Sequence, residues 1–99
     1  MYTIEYAEGV VEHLRSVRAF ERRRILDTID EQLSHAPTQQ TRNKKILVGL
    51  KVPWEHDEPM WELRIGDYRV FYDVNETAER VIVRAVRRKR THQTTEEIL

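Results

Sequence analysis

Residues 61–74 read WELRIGDYRVFYDV, two runs rich in aromatic and β-branched residues on either side of Gly66 and Asp67. A two-residue connection that begins with glycine is typical of a tight β-hairpin. Such a turn sets the pairing of the two strands residue by residue, so Arg64 and Arg69 become direct cross-strand neighbours.

The same register separates two faces of the hairpin. Leu63 lies opposite Val70, and Trp61 lies opposite Tyr72, on the face that does not carry the arginines. Because successive side chains of a strand point to opposite faces, this apolar face is expected to contact a core. The other face carries the positive charge.

The segments before and after the hairpin predict the remaining elements of the fold. Alternation in residues 2–6 predicts a first strand, apolar residues at helical spacing then predict two helices ending before Pro37, and residues 81–86 predict a last strand. The order βααβββ predicts an α+β fold with a helical hairpin packed on one face of an antiparallel sheet. The other face is expected to stay open, and residues 37–59 to form a largely polar connection.

Length and composition favour one domain that spans residues 1–99. Charged residues make up 34% of the chain, so much of the surface is ionic and a deep small-molecule cavity is not expected. The absence of cysteine excludes disulfides and thiolate metal sites. No signal peptide or membrane-spanning run is visible, and we expect a cytoplasmic protein with no membrane contact.

Positive charge is concentrated near the C-terminus although the net charge is zero. Residues 80–95 contain six basic side chains and no acid. A basic stretch on a neutral protein predicts a local anion-binding face, and the alternative is a solvated strand end.

The facing arginines of the hairpin indicate the same chemistry. Like charges directly opposite one another destabilise a sheet. Arg64 and Arg69 therefore need a structural ion pair, with Glu62 or Asp73, or an external anion such as a phosphate.

Strict alternation in the last strand predicts that three side chains face the core: Val81, Val83 and Ala85. It sends the others to the arginine face: Ile82, Arg84, Val86 and Arg88. Phe71 of the hairpin lies on this face too, where its ring is available to stack on a base.

Two histidines are candidates for proton transfer because imidazole titrates near neutrality. His92 follows the basic run, and His56 lies beside Asp57 and Glu58. Adjacent residues on a loop are a weak pattern for a metal ion, so we predict no metal site and no cofactor.

The hairpin at residues 61–74 resembles the signature hairpin of RelE/ParE-family toxins of type II toxin–antitoxin systems. The last strand, the basic residues after it, the helical pair and the Arg-Asn-Lys-Lys segment at 42–45 also fit this family. The resemblance therefore covers nearly the whole chain.

The resemblance implies a toxin that is neutralised by a small cognate antitoxin, encoded next to it and wrapped around it. For RelE-like members it implies an mRNA interferase, a metal-independent endoribonuclease that cuts mRNA, usually in the ribosome, and inhibits translation. In that family pattern Arg69 matches a phosphate-binding arginine, and Arg64 matches a second basic position near the cleft. Arg88 or Lys89 matches the residue that stabilises charge at the scissile phosphate.

The general base is where the sequence departs from the family pattern. Family members place a lysine at the strand start, or a tyrosine or histidine near the C-terminus, whereas Met60 and Glu62 occupy the strand here. His92 is the C-terminal candidate, with Lys51 and Glu55 as loop alternatives. The departure leaves open a ParE-like inhibitor of DNA gyrase or an inactive antitoxin-binding remnant.

The predicted site has two groups of residues, with mRNA and the ribosome as expected partners besides the antitoxin. Catalytic roles are predicted for Arg69, Arg64, Lys89, Arg88 and His92. RNA contacts are predicted for Lys44, Lys45, Lys51, Phe71, Arg84, Arg87 and Arg90.

Overall fold

The computed structural model describes all residues from Met1 to Leu99. Its elements are, in chain order, β1 (Thr3–Tyr6), α1 (Glu8–Ser16), α2 (Ala19–Leu33), β2 (Lys44–Ile46), β3 (Trp61–Ile65), β4 (Tyr68–Asn75), β5 (Arg80–Arg88) and α3 (Thr95–Ile98). The predicted α+β fold class is confirmed. Strand β2 and helix α3 are elements that the sequence analysis did not foresee.

The five strands form one sheet in the order β1-β5-β4-β3-β2. Strands β2 to β5 pair in antiparallel fashion, but β1 runs parallel to β5. The sheet is therefore mixed, whereas a purely antiparallel sheet was expected. Because the whole chain from α1 to β4 lies between β1 and β5, no tight turn forces these two strands to be antiparallel.

Helices α1 and α2 cover one face of the sheet, as predicted. Val10 and Leu14 of α1, and Ile25, Ile29 and Leu33 of α2, recur at every fourth position and form one buried stripe on each helix. They pack with apolar side chains of β3, β4 and β5 in what we call the helix-side core. Each fully buried aliphatic side chain contributes about 1.5–3 kcal/mol. None of the helices has the length and apolar character needed to cross a membrane.

The opposite face is partly covered, so the prediction that it stays open was wrong. Residues 47–59, which we call the strap, and α3 bring apolar side chains across it. The buried residues of this second core are Met60, Phe71, Ala85 and Ile98. Trp54 of the strap packs on Phe71 with 5.5 Å between ring centroids. Since Phe71 is fully buried, its predicted availability for stacking on a base was also wrong.

The β3–β4 turn has the predicted register, with Ile65 paired to Tyr68 and Arg64 to Arg69. Gly66 has a φ of 55°, and the second turn residue has no positive φ, which matches a type II′ turn.

Strand β5 departs from strict alternation at a β-bulge. Tyr72 pairs with Val83, but the neighbouring Phe71 pairs with Ala85, which leaves Arg84 as the extra residue. A shift of one residue moves every later side chain to the opposite face. Ala85 therefore packs in the second core and not against the helices as predicted.

The bulge also changes which basic residue at the end of β5 lies beside Arg69. Val86 lies in the helix-side core, and Arg87 instead of Arg88 pairs with Arg69. The predictions that Val86 and Arg88 share the face of Arg69 were therefore wrong. Arg64, Arg69 and Arg87 form a row across three adjacent strands.

Candidate functional site

A cleft of about 240 Å³ opens on the strap side of the sheet, and its wall carries five cations and one carboxylate. We call it the cationic cleft. Its lining residues are Arg42, Asn43, Lys45, Glu62, Arg64, Arg69, Lys89 and Thr95.

Strand geometry explains why these side chains converge. Alternation along β3 places Glu62 and Arg64 on one face, and the two-residue turn places Arg69 of β4 beside Arg64. Pairing of β2 with β3 brings Lys45 opposite Glu62. Lys89 follows β5, where its backbone N–H donates to a carbonyl of the β3–β4 turn at 2.7 Å.

Arg69 is the most enclosed cation of the cleft, with 7% of its surface exposed. Its Nη1 donates to the carbonyl oxygens of Gly66 at 2.8 Å and Tyr68 at 2.9 Å, so the turn backbone holds the guanidinium in place. Burial, followed by the positive charge of Arg64, lowers the pKa of Arg69. The protein therefore orients this cation without neutralising it.

Only one carboxylate lies within ion-pair distance of a cation of the cleft. Glu62 Oε1 lies 3.6 Å from the ammonium of Lys45, and Glu62 Oε2 accepts a hydrogen bond from Thr95 Oγ1 at 3.2 Å. The other four cations have no carboxylate within 4.0 Å, so Arg69 forms no ion pair with Glu62 or Asp73. A cluster of unpaired cations favours an external anion as their partner.

Arg84 is held outside the cleft by Asp73. Its Nε donates to Asp73 Oδ2 at 2.7 Å and its Nη2 to Oδ1 at 3.3 Å, while Asp73 also accepts from the backbone N–H of Asp57. The hydrogen bond to Asp73 raises the pKa of Arg84. This guanidinium is part of the scaffold, so the structure does not favour its predicted RNA contact.

Lys44 is turned to the other side of the sheet. Its Nζ donates to the carbonyls of Gln32 at 3.1 Å and Ala36 at 2.8 Å, beside the end of α2. Carbonyls at a helix C-terminus attract positive charge, and burial lowers the pKa of Lys44. Its ammonium is therefore engaged in capping and not available for the predicted RNA contact.

The remaining predicted residues do not line the cationic cleft. The guanidinium of Arg87 sits over the ring of Trp54, 5.3 Å from the centroid. Arg88 lines a separate cleft of about 530 Å³ between the α1–α2 connection and the β3–β4 turn. Three others are exposed and do not line the cationic cleft: Lys51, Arg90 and His92.

Three further residues line the cleft although no site role was predicted for them: Arg42, Asn43 and Thr95. The basic run at 42–45 was a visible signal, but only the pairing of β2 decides which of its side chains enter the cleft. A capping box between Thr94 and Glu97 begins α3 and was readable as a helix start. That helix brings Thr95 to Glu62.

Comparison with known proteins gives the same family as the sequence resemblance. Residues 4–92 match the family described as "ParE toxin of type II toxin-antitoxin system, parDE". No match was found among curated proteins.

Three solved structures share the fold. A chain of the archaeal RelE–RelB complex from Pyrococcus horikoshii is 25% identical with a TM-score of 0.70, covering 93% of this chain and 98% of that one. The isolated E. coli RelE toxin is 17% identical with a TM-score of 0.65, covering 98% and 94%. A chain of a RelBE toxin–antitoxin complex from Mycobacterium tuberculosis is 19% identical with a TM-score of 0.66, covering 90% and 98%. The last two likenesses show the fold alone.

Proposed function

This chain belongs to the ParE toxin family of type II toxin–antitoxin systems, and we propose that it is a RelE-like toxin that cleaves mRNA without a metal ion and so inhibits translation. The proposal places it in the cytoplasm, with mRNA and the ribosome as targets. The observation that carries the proposal is the cationic cleft, in which four of five cations have no carboxylate partner.

The cleft has the charge that RNA cleavage requires. Attack of a ribose 2′-oxygen on the adjacent phosphorus concentrates negative charge on the phosphoryl oxygens, and preorganised cations stabilise it. In this proposal Arg69 and Arg64 bind the scissile phosphate through charge-assisted hydrogen bonds. Lys89, in the same cleft, stabilises the charge that develops as the bond breaks.

A cognate antitoxin is the proposed protein partner. Two of the similar structures are toxin–antitoxin complexes, one archaeal and one mycobacterial. The uncompensated charge of the cationic cleft favours an antitoxin segment with acidic side chains, which neutralises the cleft while it is bound. Such a segment keeps the toxin inactive until the complex is lost.

Inhibition of DNA gyrase is the second candidate. The matching family carries the ParE description, and none of the four histidines of the chain lines the cationic cleft. A gyrase inhibitor needs a binding surface but no general base. The two candidates therefore differ in whether RNA is cut.

Induction of the protein alone in bacteria tests the proposal. Growth should stop and should recover when the neighbouring antitoxin gene is co-expressed. Mapping of mRNA 5′ ends should show new ends inside translated frames. Intact messages together with accumulating gyrase–DNA cleavage complexes would favour the gyrase candidate, and unaffected growth with well-folded protein would indicate an inactive remnant.

A further inference from the structure

Glu62 is the only carboxylate that lines the cationic cleft, and we propose that it is the general base of the RNA cleavage. This inference rests on the proposed function. It assigns to a residue of the cleft the role for which the sequence suggested His92, Lys51 or Glu55.

The contacts of Glu62 orient its carboxylate and leave it able to accept a proton. One oxygen accepts from Thr95 Oγ1 at 3.2 Å, and the other lies 3.6 Å from the Lys45 ammonium, beyond the length of a good hydrogen bond. An ionised carboxylate has about four lone-pair positions, so these two contacts do not saturate it. Arg64 lies two residues further along the same strand face.

The cost of a carboxylate at this position argues for a chemical role. A negative charge beside a phosphate site repels the ligand that the five cations attract, so a neutral side chain would bind RNA more tightly. Proton abstraction requires a base within reach of the ribose hydroxyl, which a carboxylate beside the phosphate site supplies. The other candidates, Lys51, Glu55 and His92, are exposed and lie outside the cleft.

The proposed step balances with groups present in the cleft. The Glu62 carboxylate takes the proton of the 2′-hydroxyl, and the 2′-oxygen forms a bond to phosphorus. The bond between phosphorus and the 5′-oxygen breaks, and the Lys89 ammonium donates a proton to that oxygen. The products are a 2′,3′-cyclic phosphate and a 5′-hydroxyl, and exchange with water restores both side chains.

Glu62→Gln separates binding from chemistry because glutamine keeps the shape and the Thr95 contact but loses the charge and the basicity. On an mRNA that the wild type cuts, presented on ribosomes, the single-turnover rate should fall by about a hundredfold to ten-thousandfold. The same variant should bind a fluorescein-labelled, 2′-deoxy-substituted and therefore uncleavable RNA more tightly than the wild type. Glu62→Asp should recover part of the rate.

The matched control is Glu5→Gln on β1, at the opposite edge of the sheet, where the carboxylate pairs with Arg80 at 3.2 Å. It should change neither cleavage nor RNA binding. Wild-type cleavage by Glu62→Gln would overturn the assignment of the base and leave the proposed function standing, whereas a wild type that cuts no RNA would overturn both. Loss of RNA binding and a lower melting temperature in Glu62→Gln, with Glu62→Asp no faster, would make Glu62 a purely structural residue.

Discussion

Arg84 and Arg69 lie on the same side of the sheet, and their electrostatic surroundings are opposite. Arg84 donates two hydrogen bonds to Asp73, and that carboxylate raises its pKa. Arg69 donates only to backbone carbonyls, and burial and then Arg64 lower its pKa. The strap adds further acids near Arg84 and none near Arg69.

The difference separates scaffold from site. A buried charge is costly unless it is paired, and the scaffold meets this requirement fully for Arg84. For Arg69 the backbone supplies orientation, and the nearby acids Glu62 and Asp67 form no ion pair with it, so the cation retains the capacity to bind an external anion. A perturbed ionisable group in a cleft with an incomplete set of partners is a functional-site candidate for this physical reason.

The largest expected effect is a loss of stability when Arg84 loses its carboxylate partner Asp73. Asp73→Asn leaves Arg84 buried with a neutral partner, because the Arg84 side chain is only 16% exposed. We expect the free energy of unfolding in urea to fall by about 3–5 kcal/mol. The double variant with Asp73→Asn and Arg84→Gln should lose less free energy of unfolding than Asp73→Asn alone. If Asp73→Asn lowered the free energy of unfolding no more than the loss of an exposed ion pair does, Arg84 would not be a scaffold residue that depends on Asp73.

The next effect is on function at the unpaired arginine. Arg69→Gln should weaken transition-state stabilisation by about 2–4 kcal/mol, a rate decrease of about thirtyfold to a thousandfold, and growth arrest should be lost. Its free energy of unfolding should change much less than that of Asp73→Asn, because relief of the repulsion from Arg64 offsets the lost carbonyl contacts. Arg80→Gln, an exposed cation paired with Glu5, should remain toxic. An unstable but fully toxic Arg69→Gln would reassign Arg69 to the scaffold.

The smallest expected effect is a pH dependence of stability that comes from His56 of the strap, which lies near Glu58 and Asp73. A hydrogen bond to the Trp54 carbonyl and one to Glu58 raise the pKa of His56 above 6.5. Its stabilising contribution is therefore fully present below pH 6.5 and is lost as the pH rises through the folded-state value. The difference in free energy of unfolding between wild type and His56→Gln should shrink as the pH rises. A difference that grows with pH would contradict the sign.

The comparison with His56→Gln is needed because folding shifts the pKa of His13 in the opposite direction to that of His56. Burial and then Arg87 lower the pKa of His13, so the unfolded chain binds the proton first and His13 destabilises the fold as the pH falls below 6.5. The pH dependence of the wild type alone mixes the two signs. Subtraction of the variant curve isolates His56.

The sequence by itself determined the hairpin and its consequences. A glycine-first turn of two residues sets the register locally, and the register sets which side chains face one another. The pairing of Arg64 with Arg69, the apolar face and the family resemblance all follow from residues 61–74 and were readable without the structure. The stripes of α1 and α2 were readable because helical periodicity is also local.

Only the tertiary structure decided which cations share the cleft. The bulge at Arg84 replaces Arg88 with Arg87 beside Arg69, and the pairing of β2 sends Lys45 into the cleft while Lys44 caps α2. The strap, which has no strand or helix period, crosses the sheet and covers the second core. These arrangements depend on contacts between residues far apart in the chain, and a one-residue change of register reverses a side chain's face, so local pattern carries no information about them.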